Sequence, residues 1–204
     1  MPLKVRLTNT PHVIRKGAKE VTQYTMSASK TSTPGRAVFS EGANTCSLLA
    51  LNLGNVNRLF HLAPELQPTN NLYEGIRSSI DTLYENSEDL DDEVTAVLIG
   101  GRELIKDNPE SEASFNLYNE TANVLEELEI PYTMICGKKM GLGNDDIYIA
   151  DGTAHVQNDF FECLKGDTRS PQERIKEQLE RGYQFVEIDP RVPIEVGRIA
   201  TKKA

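Results

Sequence analysis

No stretch of this 204-residue chain approaches the roughly 18 consecutive apolar residues of a membrane-spanning helix, so insertion in a membrane by helices is not expected. The opening residues, Met1-Pro-Leu-Lys-Val-Arg6, lack the apolar centre of a secretory signal. The expected location is the cytoplasm, with delivery into a host cell as the alternative. Cysteine is scarce, and Cys46, Cys136 and Cys163 are an odd number at irregular spacing. That pattern suits neither a disulfide framework nor a structural zinc site, and reduced thiols are expected. Positive charge is in deficit too: 22 Lys and Arg stand against 31 Asp and Glu, a net charge of −9 that repels a phosphate backbone and speaks against nucleic-acid partners. The acidic residues gather at Glu85, Glu88, Asp89, Asp91, Asp92 and Glu93. This run reads as a solvated loop or, alternatively, as a docking patch for a basic partner.

What is present is an alternation of strand-like and helix-like segments sized for one domain, taken as residues 1–160, with an extension over 161–204. Residues 1–35 are poorly determined. Leu3-Lys-Val-Arg-Leu7 alternates, Glu20-Val-Thr-Gln-Tyr-Thr-Met26 is rich in β-formers, and Ser27-Ala-Ser-Lys-Thr-Ser-Thr-Pro-Gly35 reads as a loop by composition. Arg36-Ala-Val-Phe39 is a further short strand. Two apolar runs, 46–53 and 56–61, flank Gly54-Asn55 and predict a tight hairpin. Leu72, Ile76, Ile80, Leu83 and Tyr84 recur at helical spacing over about 71–86, and Phe115, Tyr118, Ala122, Leu125 and Leu128 do so over about 114–129. Between them Val94-Thr-Ala-Val-Leu-Ile99 is a buried strand that ends at Gly100-Gly101, where two glycines imply backbone at close quarters. After Ile130-Pro131 come a strand over 132–136, a glycine-bearing loop over 137–143, and a hairpin of residues 146–150 and 153–156 around Asp151-Gly152. In the extension, Ser170-Pro-Gln-Glu173 is a capping box that opens a helix stopped by Gly182, and Tyr183–Ile188 is a possible strand; residues 190–204 look loose and mildly basic. The fold class that follows is α/β (α+β), a layered sandwich of mixed or antiparallel sheet with flanking helices.

Chemistry concentrates on the first hairpin, which brings Cys46 at the start of one strand across from His61 at the end of the other. A thiol is a weak nucleophile until deprotonated, and an imidazole within hydrogen-bond reach removes its proton. Ser40, Asn44 and Thr45 lie just before the cysteine and can orient the imidazole, with Glu41 as a further candidate. Read from the residues alone, the pair is a nucleophile with its base or else a small buried hydrophobe beside a satisfied strand-end histidine. Other groupings are weaker. His12, His61, His155 and the cysteines have no ligand spacing, the loop with Lys138 and Lys139 lacks the Walker pattern, and Cys136 and Cys163 form no Cys-x-x-Cys.

The segment Ser40-Glu-Gly-Ala-Asn-Thr-Cys46 resembles the Thr-Leu-Gly-Leu-Gly-Ser-Cys-like stretch of the CheD-type chemoreceptor glutamine deamidases. On that match Cys46 takes the nucleophile's place, Ser40 that of the orienting threonine, Gly42 a family glycine and Thr45 the serine before the cysteine. His61, followed by Leu-Ala-Pro64, is similar to the catalytic histidine, and Val97-Leu-Ile-Gly-Gly101 to an apolar strand ending in Gly-Gly. The helix and Leu128-Glu-Ile-Pro131 turn within 116–137, then Gly143-Asn-Asp-Asp-Ile-Tyr-Ile149 and Asp151-Gly-Thr-Ala-His-Val156, follow in the family's order, so that the likeness spans about residues 36–157. Asn44 replaces a glycine beside the nucleophile. The short separation of Cys46 and His61 is similar to that in the cytotoxic-necrotizing-factor toxins, which share the fold. The resemblance implies a CheD-like sandwich and a cysteine amidohydrolase that converts a glutamine of a partner protein to glutamate. Cys46, His61 and Ser40 would be catalytic, Thr45 and Asn44 would serve substrate binding or the oxyanion, and no cofactor or metal would take part. Another cysteine hydrolase, protease or transglutaminase-like, and a non-catalytic binding module on the same fold are the alternatives.

Overall fold

The computed structural model describes residues 3–8, 16–22, 29–33, 35–43, 45–64, 69–88, 91–100, 107–135, 145–150, 152–158 and 194–195. Along the chain these residues form β1 (Lys4–Thr8), β2 (Lys19–Glu20), β3 (Ser29–Ser32), β4 (Val38–Ala43), β5 (Ser47–Leu53), β6 (Val56–Leu62), α1 (Thr69–Asn86), β7 (Thr95–Ile99), α2 (Pro109–Glu127), β8 (Tyr132–Ile135), β9 (Asp145–Ala150), β10 (Thr153–Asn158) and β11 (Ile194–Glu195). They build two open, mostly antiparallel sheets. One has the order β11-β1-β10-β9-β4-β2 and the other β3-β6-β5-β7-β8.

The β5–β6 hairpin sets the frame. Gly54 takes φ 57°, the left-handed conformation that a two-residue turn asks of its first position and that glycine adopts without steric cost. Leu53 therefore pairs with Val56, Leu48 with His61 and Ser47 with Leu62. With side chains alternating between faces, Leu48, Ala50, Leu59, Val97 and Ile99 turn one way and Leu49, Leu51, Phe60, Leu62, Ala96 and Leu98 the other. The first set meets Val38, Ile147, Ile149, Ala154 and Val156 of the six-stranded sheet. The second is covered by Leu72, Ile76 and Leu83 of α1 and Leu117, Tyr118, Ala122 and Leu125 of α2. The result is three layers: two helices, the five-stranded sheet and the six-stranded sheet, with one apolar core in each gap.

The helices begin where polar signals place them. Asn108 caps α2, its side-chain oxygen accepting the N–H of Ser111 at 3.0 Å, and Pro109 occupies the first turn, where its missing N–H costs nothing. The apolar period alone, starting from Phe115, predicts a later start because the first turn carries no hydrophobic repeat. The last turn closes before Ile130, whose N–H donates to the Leu125 carbonyl at 2.9 Å.

Residues 29–32 do not form the loop that their Ser and Thr content predicts. They form β3, an edge strand paired from Ser29 opposite Phe60 to Ser32 opposite Asn57. Its polar side chains are used: Arg58 donates to Thr31 Oγ1 at 2.7 Å and to Ser79 Oγ of α1 at 3.0 Å, and Asn57 donates to Ser32 Oγ at 3.0 Å. Pairing to β6 supplies what local propensity lacks. Of residues 20–22, the described part of the β-rich stretch 20–26, Glu20 lies in a strand, the two-residue β2; residues 23–28 lie outside the described residues. The helix and strand expected over 170–188, and the loop over 137–143, also lie outside them. In the segment read as loose, β11 pairs with β1 through Leu7 opposite Ile194 and Arg6 opposite Glu195, adding an edge to the six-stranded sheet.

Gly100 ends β7 with φ 128°, and a Cβ there would lie 2.9 Å from the Cys46 carbonyl oxygen and 3.1 Å from Ser47 Cα. This is the close backbone approach expected at Gly100-Gly101, although Gly101 lies outside the described residues. Gly100→Ala is expected to lower unfolding stability by about 1–3 kcal/mol through strain and backbone displacement. Gly152→Ala, at φ 71° with nothing within 4 Å, serves as the comparison and should lose less. Denaturant unfolding of the two variants checks the difference.

Candidate active site

Ser40 and His61 meet between the two sheets, and Cys46 is buried in the same gap. β4 brings Ser40 from the six-stranded sheet, and β6 brings His61 from the five-stranded one. A β-bulge makes the entry possible. Ser40 pairs with Ile147 and Ala43 with Asp145, so Glu41 and Gly42 together oppose Asp146. Gly42 adopts φ 73°, and its N–H donates to Asp146 Oδ1 at 2.7 Å. The extra residue allows Ser40 and Ala43, three positions apart, both to be buried. Cys46 follows immediately before β5.

Register places Leu48, rather than Cys46, directly opposite His61. The tight turn decides this: once Leu53 faces Val56, Cys46 falls two residues beyond the His61 pair, on the same face of the sheet. Diagonal neighbours of this kind have Cα atoms roughly 7–8 Å apart and side chains still within reach of each other. Cys46 belongs to the same buried cluster as Leu48, Leu59 and Ala63 and is 5% exposed, without a disulfide.

Two hydrogen bonds define the state of His61. Ser40 Oγ lies 2.6 Å from the Val21 carbonyl oxygen and 2.7 Å from His61 Nδ1. A carbonyl only accepts, so the single hydroxyl proton of Ser40 points to Val21, and Ser40 Oγ accepts a hydrogen bond from Nδ1–H. The neutral imidazole is therefore the Nδ1–H tautomer, with a bare lone pair on Nε2. Nε2 is buried and has no hydrogen-bond partner among the described residues. Burial pushes the imidazole below its ordinary value of 6.5, and the Val21 carbonyl, which favours the charged ring, opposes that shift. The site thus holds a neutral base with its acceptor nitrogen fixed by a hydroxyl and a main-chain carbonyl.

The remaining residues singled out in the sequence fall apart from this centre or outside the described chain. Thr45 is half-buried next to the thiol, whereas Asn44 lies outside the described residues. Glu41 is exposed. His155 pairs with Tyr148 on the outer face of the six-stranded sheet, its ring centroid 6.2 Å from that of Tyr148, and does not join His61. His12, Cys136 and Cys163 are outside the described residues, and no group of His, Cys, Asp and Glu suited to a metal ion occurs among those described. Sequence reasoning missed the Val21 carbonyl and the Asp146 carboxylate. A main-chain oxygen carries no residue signature, and Asp146 acts on Gly42 across 104 positions of chain. The chain matches no known protein-family model and no curated protein sequence. Among the described residues no helix is long and apolar enough to cross a membrane.

Because the folded imidazole resists protonation, the contribution of His61 to stability is fully present above about pH 6.5, and it is lost as pH falls from there through the depressed folded value. An NMR titration of the three histidines should give His61 a midpoint below 6.5. A midpoint above 6.5 contradicts the neutral-base assignment. Ser40→Ala removes the acceptor of Nδ1–H and should slow alkylation of Cys46 by iodoacetamide at least about tenfold at neutral pH, while Ser40→Thr, which keeps the hydroxyl, retains most of the rate. Mass spectrometry of the alkylated cysteine measures both.

Proposed function

We propose that the chain is a CheD-like cysteine amidohydrolase that deamidates a glutamine side chain of a partner protein. The observation that carries this reading is the direction of the Ser40 hydroxyl proton. Spent on Val21, it leaves His61 Nε2 as a free base on the face shared with Cys46. In the reaction, His61 Nε2 takes the Cys46 proton, and the thiolate sulfur attacks the carboxamide carbon to form a tetrahedral oxyanion. The imidazolium returns its proton to the departing nitrogen, so ammonia leaves and a thioester remains. His61 then draws a proton from water, the hydroxide displaces sulfur, and glutamate and the free thiol are released. All of this runs on the protein's own groups.

Two features support the choice of substrate over a peptide bond. A thiol that is 5% exposed between stacked sheets suits a slender side-chain amide better than a main chain flanked by its neighbours. The order of Ser40, Gly42, Cys46, His61 and the glycine pair at 100–101 also follows the deamidase pattern. The imidazolium formed in the first step keeps its Nδ1–H bond to Ser40 and gains from the Val21 carbonyl dipole, so the charge arises beside groups already oriented toward it.

The test is incubation with candidate partner proteins. Deamidation releases ammonia and raises the substrate mass by about one dalton per site, and Cys46→Ser abolishes both. Cleavage of the partner's chain, or its cross-linking to an amine, assigns the site instead to a protease or a transglutaminase-like enzyme. Binding of partners without any covalent change assigns it to the non-catalytic alternative.

A further inference from the structure

The excess of negative charge lies in one stretch of the chain. Residues 69–129, which contain both helices, carry sixteen of the 31 acidic side chains and only three basic ones, Arg77, Arg102 and Lys106. That segment has a net charge of −13 in a chain of net −9, so the remainder is positive. On the helix layer a groove of about 530 Å³ opens between the first turn of α1 and the C-terminal half of α2. Its apolar lining is Leu72, Tyr73 and Val124, and around these stand Glu74, Glu120 and Glu127, with no lysine or arginine among the lining residues. Leu72 is buried, Tyr73 and Val124 are half-buried, and Glu74 and Glu127 are exposed. The five-stranded sheet separates this surface from the gap that holds Cys46 and His61.

We infer that this groove docks a basic amphipathic helix of a partner protein. Helix-in-groove recognition uses apolar anchors at i, i+3 and i+4, and the exposed parts of Tyr73 and Val124, with Leu72 buried beneath them, offer a seat for such an anchor. The carboxylates select what surrounds them. An acidic or neutral helix would place like or uncompensated charge against Glu74, Glu120 and Glu127, whereas lysines and arginines beside the anchors meet them and are steered in by the negative charge of the segment that carries both helices. The inference stands apart from the proposed chemistry, because the groove and the thiol lie on opposite faces of the sheet.

The experiment titrates the full chain, labelled with nitrogen-15, with a synthetic amphipathic helical peptide whose leucines are flanked by lysines and arginines. A counterpart with glutamates in place of the basic residues is run in parallel. Amide shifts centred on residues 72–74 and 120–127 are expected with the basic peptide and absent with the acidic one. Combined Glu74→Gln, Glu120→Gln and Glu127→Gln should weaken binding by about tenfold or more, and raised salt should weaken it as well. The control is Glu110→Gln with Glu112→Gln, which removes exposed charge from the start of α2 and should change affinity less than about twofold. Shifts spread over residues 85–93, or equal weakening by the control, would show diffuse attraction and overturn the inference. Removal of residues 196–204, which include Arg198, Lys202 and Lys203, gives the remaining outcome: shifts at 72–74 and 120–127 on that removal alone would assign the groove to the protein's own tail and equally overturn it.

Discussion

Everything in the inner gap follows from the register of one hairpin. The turn at Gly54 and Asn55 pairs Leu53 with Val56, and each later pair inherits its facing from that closure. A slip of one residue would turn Leu48, Ala50, Leu59 and His61 toward the helices and Leu49, Leu51 and Phe60 toward the second sheet. Neither core would then fill, because each set is matched to a different partner: branched side chains of β4, β9 and β10 on one side, and the stripes of α1 and α2 on the other. The hairpin is central in its sheet, with β3 and β7 on its flanks, so the rest of that sheet takes its facing from the same turn.

Within this frame the site is a small polar island in an apolar interface. Ser40 is fully buried, and His61 and Cys46 are nearly so. Burying a hydroxyl and an imidazole is unfavourable unless their hydrogen bonds are met. Ser40 meets both of its own, to Val21 and His61, and in doing so couples a strand of one sheet to a strand of the other. Of the two imidazole nitrogens, Nε2 is the one without a hydrogen-bond partner among the described residues. An uncompensated buried nitrogen is a cost that an apolar residue at position 61 would avoid. The bulge at Glu41 and Gly42 turns Ala43 to the same side as Ser40, since in a regular strand residues three positions apart face opposite sides.

Much of the architecture was legible in local pattern. Apolar runs, tight glycine turns and helical spacing located the β5–β6 and β9–β10 hairpins, both helices and β7, because each is encoded by neighbours within a few residues. β3 was not legible. Its serines and threonines favour turns in isolation and become a strand only when β6 offers a free edge and Arg58 and Asn57 offer partners for the hydroxyls. The start of α2 was missed for a related reason, the Asn108 cap lying outside the apolar repeat. Of the residues singled out by spacing and by likeness to a deamidase motif, Ser40 and His61 do meet, through one hydrogen bond. Val21 and Asp146 were not singled out, because they act through a main-chain oxygen and through a contact distant along the chain.

The sequence by itself determined which residues share a face, where the chain turns, and that a thiol and an imidazole lie at the same end of one hairpin. These are consequences of covalent geometry and side-chain alternation, which act over short stretches. Only the tertiary structure decided that Leu48 and not Cys46 faces His61 squarely, that Ser40 reaches His61 from the other sheet, and that its proton goes to Val21. Those facts depend on two sheets being stacked at a particular height, a distance set by the packing of side chains that lie far apart along the chain.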